Sequence, residues 1–196
     1  KPRQKLRRSK VFKDINVKGA CGLKSGHERG IIITEYIALA GTAELASAHE
    51  SELRAYYPSD LVDTAISFAD KTDTGKGRLT AGKFPGACVF VPGEKGLLAE
   101  LWDMAESLSC GLDIDIKAIP VKQESVEVCE FLDEDPYRID STGSLLIITE
   151  DTLELKKALE DEGIKASVIG RLTDSRARIL WNNGRARYLD RNREQE

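Results

Sequence analysis

The stretch FVPGEKGLLAELWDMAE, Phe90–Glu106, runs from an apolar, strand-like end through a Pro-Gly turn into a helical segment. Leu97, Leu101, Met104, Ala105 and Leu108 recur at helical spacing and give that segment one apolar face. Glycines placed where a strand ends and a helix begins let the backbone approach an anion, and the helix offers its first N–H groups and positive dipole end. Whether VPGEKG is such a cradle or only a turn decides what chemistry this region can perform.

Upstream of it, ACVFV reads as a strand, preceded by the glycine-rich connection TDTGKGRLTAGKFPG. That connection is not a phosphate-binding P-loop, because Gly77 rather than Ser or Thr follows Lys76 and Asp70 stands where the first glycine belongs. It reads as a flexible surface loop. Further back, the β-branched IIITEYI, Ile31 to Ile37, predicts a strand. After Gly41-Thr42 a helix is expected from Ala43 to Tyr57, stopped by Pro58. A second helix starts at Ser59 as N-cap, with Leu61, Val62, Ala65, Ile66 and Ala69 on one face.

Downstream, Gly111 is expected to close the central helix, and LDIDIK alternates as a half-buried strand does. VKQESVEVCEFL is a short helix, DEDPYR an acidic turn and SLLIIT a buried strand. Thr149 is expected to cap the helix EDTLELKKALEDE, with Gly163 just past its end. ARILW and ARYLD flank Asn182-Asn183-Gly184, a hairpin signal because both Asn and Gly accept positive φ. Together these elements predict an α/β (α+β) fold, a mixed β-sheet packed by helices.

The 196 residues suit one domain with an appended arm, and a net charge of -4 provides no global basic field for nucleic acid or membrane. The first residues, KPRQKLRRSK, are basic, and residues 1–29 read as an arm preceding a domain over 30–196. A solvated tail explains that basicity better than a nucleic-acid arm does. Cys21, Cys88, Cys110 and Cys129 are scattered without a C-x-x-C pair, which points to a reduced, cytoplasmic protein. No segment reaches the ~20 apolar residues of a membrane span, and no signal-peptide pattern is present.

Of the histidines, His27 lies in the arm and His49 shares a helical face with Leu45 and Leu53, as a core-edge residue does. No set has zinc spacing, so no metal site is expected. Glu130, Asp133, Glu134 and Asp135 read as a solvated acidic turn. Two stretches remain as oxyanion candidates: VPGEKGLL at 91–98, with Gly93, Lys95 and Gly96, and DSTGSLLI at 140–147, with Ser141, Thr142, Gly143 and Ser144. Their glycines, hydroxyls and lysine are donors suited to a phosphate, although on the residues alone two ordinary turns are somewhat the better reading.

The order GTAELA, GLLAELWDMAESLSCGLDIDIKAIPV, VCEFLDEDPYRIDSTGSLLI, GIKASVIGRLT resembles the C-terminal domain of the aminoimidazole ribonucleotide (AIR) synthase-related superfamily over most of Gly30 to Asp190. The superfamily includes selenophosphate synthetase, thiamine monophosphate kinase and the hydrogenase maturation factor, and the last branch is the nearest in feel. The resemblance implies an AIR synthase C-terminal-domain-like fold. It also implies an N-terminal ATP-binding domain, with the reaction in the cleft between the two, and dimers formed chiefly through that N-terminal domain.

The chain departs from this pattern in three places. About thirty residues precede the matching region, and LRRSKVFKDI resembles the start of such proteins, so the arm reads as a remnant of the ATP-binding domain. The family's Asp-x-Thr-x-Gly-Gly turn is matched by Val91, Gly93, Lys95 and Gly96, which loses the acid and turns one glycine into lysine. The carbamoyl-carrying cysteine of the hydrogenase factor has no counterpart, since the sequence ends RNREQE.

The expectation is therefore a non-catalytic domain that binds a phosphorylated small molecule or a partner, self-associating or pairing with a full-length relative. No residue is expected to be catalytic. The alternative is an ATP-dependent enzyme completed by oligomerisation or by a separate N-terminal domain, and only in that setting would ATP and Mg be cofactors.

Overall fold

The computed structural model describes residues 29–191. Most of the basic arm, with His27 and Cys21, lies outside the described residues. A seven-stranded mixed sheet has the order β2-β4-β1-β5-β3-β6-β7. Its first strand, β1 (Gly30–Thr34), is internal and lies antiparallel between β4 (Leu146–Thr149) and β5 (Ala166–Thr173). β2 (Cys88–Phe90) pairs with β4 at one edge. On the other side β3 (Gly111–Asp115) pairs with β5 and runs parallel to β6 (Arg178–Asn182), and β7 (Arg185–Tyr188) completes the hairpin. The Asn-Gly signal holds, with Asn183 at φ 51° and Gly184 at φ 74°.

The two faces of the sheet are covered unequally. One carries Ile31, Ile33, Leu112, Ile114, Leu146 and Ile148 against α5 (Gly96–Leu108). This is the helix predicted from its apolar period, and Leu97, Leu98, Leu101 and Met104 are all buried to 3% exposure or less. At about 1.5–3 kcal/mol for each large apolar side chain, that face contributes roughly 6–12 kcal/mol before chain entropy is charged against it. The other face carries Ile32, Leu145, Ile147 and Ala166, packed against Leu155 and Leu159 of α7 (Thr152–Asp161) and Ala81 of α4 (Gly75–Ala81). A third cluster joins α1 (Leu39–Ala48), α2 (Glu50–Tyr56), α3 (Ser59–Ser67) and α6 (Gln123–Leu132) through Ala46, Leu53, Val62, Ala65 and Val128.

Several local expectations are corrected. The first strand ends at Thr34 rather than Ile37, because Glu35 (φ 56°) and Ala38 (φ 66°) turn the chain. α1 begins at Leu39 and runs through Gly41-Thr42, and the single helix expected to Tyr57 breaks at His49, which caps α1 and starts α2. His49 is half-buried at this junction, 3.5 Å from the Glu52 carboxylate. The glycine-rich connection is not all loop: it forms α4, opened by the Gly75 N–H donating to Asp73 Oδ1 at 2.8 Å. Gly77 is buried there, and a Cβ on it would come within 2.9 Å of Leu145 Cδ1, so its small size serves packing.

At the start of α7 the N-cap is Asp151, while Thr149 Oγ1 accepts from the Asp151 N–H and so closes the preceding turn instead. α5 ends at Leu108, with Ser109 left-handed (φ 53°), and Gly111 opens β3. Cys110 and Cys129 are free and buried. Among the described residues no helix is long and apolar enough to cross a membrane.

Candidate functional site: two joined turns at the start of the central helix

The two stretches singled out in the sequence meet. The Gly93 carbonyl accepts from the Gly96 N–H at 2.9 Å and from the Ser141 N–H at 3.2 Å, tying the 91–98 turn to the 140–147 turn. Gly96 has φ +76°, and a Cβ there would lie 2.5 Å from the Arg138 carbonyl carbon and 2.7 Å from Tyr137 O. Glycine is required twice over, by conformation and by the backbone pressed against it. The Tyr137 carbonyl in turn accepts from the Leu98 N–H at 3.1 Å. Two of the first N–H groups of α5, those of Gly96 and Leu98, therefore already have protein partners. These are the orphan donors that a helix start offers to an anion.

The second turn is equally closed. Ser141 is fully buried; its Oγ accepts from the Ala38 N–H at 3.1 Å and donates to Ile139 O at 3.2 Å. Ser144 is fully buried and its hydroxyl donates to Ser141 O at 2.9 Å. The Thr142 N–H and hydroxyl both donate to Asp140 Oδ1, at 2.8 and 2.7 Å. Gly143 has φ +105° with Lys71 O where a Cβ would sit, at 2.5 Å. The Asp140 carbonyl accepts from the Gly41 N–H at 2.9 Å.

Segment 137–144 thus caps two helices from outside: α1 through Ser141 Oγ and the Asp140 carbonyl, and α5 through the Tyr137 carbonyl. Ala38, the N-cap of α1, makes no side-chain cap of its own; the Asp140 carbonyl takes the Gly41 N–H in the first turn, the role a capping side chain ordinarily fills, and Ser141 Oγ takes the N–H of Ala38 itself. Of the sequence candidates, Lys95 and Glu94 are exposed and Gly93 and Thr142 half-exposed, while Gly96, Ser141, Gly143 and Ser144 are buried. The residue that sequence reasoning missed is Asp140. The Asp-x-Thr spacing of DST, whose side chain closes on the backbone two residues on, is the signal that would have found it.

The electrostatics around the joined turns are acidic. A cavity of about 520 Å³ beside them is lined by Glu44, Glu94, Glu134 and Asp140 against Arg138, with Gly41 and Ile139. Arg138 lies 3.4 Å from Asp135. Burial pushes the Tyr137 hydroxyl above the usual phenol range, and Asp135 adds to this. The acidic run of the sequence is partly a helix ending: Asp133 is left-handed (φ 57°) after α6, and the Glu134 N–H returns to Cys129 O at 2.8 Å. Among the described residues no group of three or more His, Cys, Asp or Glu is placed to hold a metal ion.

A larger, open groove of about 950 Å³ lies on the sheet between the start of α7 and the β6–β7 hairpin, with Asp113, Val168, Arg171 and Trp181 on its floor. Trp181 Nε1 donates to Asp113 Oδ1 at 3.4 Å, and Arg171 lies 3.7 Å from the same carboxylate.

This fold, with its joined turns at the start of the central helix, is that of an AIR synthase-type C-terminal domain. Residues 92–182 match the family described as AIR synthase related protein, C-terminal domain, which bears out the resemblance to the AIR synthase-related superfamily and to its hydrogenase-maturation branch. It is 33% identical over 103 residues to the carbamoyl dehydratase HypE of Rhodobacter capsulatus, a match taking in 48% of this chain and 30% of that protein. Its fold is similar to that of Escherichia coli HypE, with a TM-score of 0.71 at 20% identity over 90% of this chain and 53% of that one. Two further HypE structures, one in complex with ATP and one a HypE–HypF complex, align with TM-scores of 0.62 and 0.59 at 18% and 21% identity. They cover 85% and 84% of this chain and 51% and 53% of theirs. The chain thus spans about half the length of these solved relatives and less of the Rhodobacter protein.

Proposed function

We propose that this domain acts by binding, and that the described chain does not itself turn over ATP. The observation that supports the reading is the closure of the joined turns: the N–H groups of Gly96 and Leu98 and the hydroxyls of Ser141, Thr142 and Ser144 are all engaged within the protein. Phosphoryl transfer is almost entirely positioning and charge stabilisation around the γ-phosphate. Donors already bonded within the turns and at the helix start are not at hand for that work, and Val91 stands where the resemblance sets an acid. The charge of Lys95, at the exposed rim, is the feature through which a phosphorylated small molecule would be attracted.

Phosphate release from ATP with magnesium, on wild type and Lys95→Ala, tests this. No turnover is expected in either. Turnover in the wild type that disappears in Lys95→Ala would overturn the proposal in favour of an ATP-dependent enzyme completed by oligomerisation or a separate N-terminal domain. The relative solved with ATP keeps that reading in view.

The partner side of the proposal rests on the groove over β5, β3 and β6, where Val168 and Trp181 are 37% and 39% exposed. Exposed apolar surface of this kind favours association, and a HypE–HypF complex exists among the relatives. A homo-oligomer, or an assembly with a full-length relative, is the expected state. Sedimentation of the chain alone at high micromolar concentration should show self-association; a monomer there would remove the homo-oligomer.

A further inference from the structure

We draw no further inference here: the strongest candidate, the open groove between α7 and the β6–β7 hairpin, has its acids Asp113, Asp115 and Glu150 already engaged by Arg171, the Lys117 N–H and Arg29, and nothing in the structure shows what covers it.

Discussion

Replacing Gly96 with alanine tests the joined turns most directly. Two penalties add at this position. The left-handed conformation, φ +76°, costs a non-glycine residue about 1–2 kcal/mol. The new methyl would also lie 2.5–2.7 Å from the Arg138 carbonyl carbon and Tyr137 O, which are backbone atoms that cannot swing aside as a side-chain end can. Overpacking of this kind costs about 1–3 kcal/mol. The expected loss is therefore about 2–5 kcal/mol, a large part of the roughly 5–15 kcal/mol by which domains are stable.

Gly163 provides the control. It has nearly the same φ, +78°, and a methyl group there would meet nothing within 4 Å, so Gly163→Ala should lose only the conformational part, about 1–2 kcal/mol. Urea unfolding of the three proteins, followed by far-UV circular dichroism with the slope checked for constancy, measures both. Equal losses at the two positions would refute the argument that segment 137–144 is pressed onto the start of α5.

Ser141→Ala should cost about 1–3 kcal/mol, because the Ala38 N–H is left buried without its acceptor. Thr42→Val or Ser125→Ala should be neutral or stabilising, since those buried hydroxyls have no hydrogen-bond partner among the described residues; the same denaturant curves decide, and a loss at Ser125 as large as at Ser141 would contradict the assignment. Burial, with Asp103 adding to it, pushes the Glu100 carboxyl up from 4.5 to about 7. The folded chain then binds a proton that the unfolded chain has released, so the associated stability is full below the unfolded value and is lost as pH rises through about 7. Glu100→Gln should therefore gain in melting temperature relative to wild type between roughly pH 5 and pH 8, and an offset that is constant across that range would count against it.

What could be read in the sequence follows from how local its physics is. α5 was legible because its apolar period is set within one helix, and the β6–β7 turn because Asn183 and Gly184 carry their own conformational preference. α4 was hidden by its glycines: Gly77 looks like a loop residue until Leu145, far away in the chain, is seen against it. The break at His49 was invisible because the apolar pattern of Leu45 and Leu53 continues across it. For the site, the sequence located both turns, but it read Gly96 as facing a ligand and not as pressed against segment 137–144. It did not reveal that Ser141 serves the start of α1, because the two ends of that hydrogen bond are 103 residues apart. Donor-rich composition is the same whether the donors face a ligand or a neighbouring helix.

The internal position of β1 has a consequence for how the chain reaches this state. Its neighbours are β4 and β5, and the contact that closes its end, the Leu145 N–H to Thr34 Oγ1, spans 111 residues. During synthesis Ile31–Ile33 emerge long before either neighbouring strand exists, and non-local pairing of this kind is slow because loop-closure entropy comes first. The isoleucine run is thus a temporarily sticky segment on the ribosome, the sort of exposed strand that invites chaperones or aggregation.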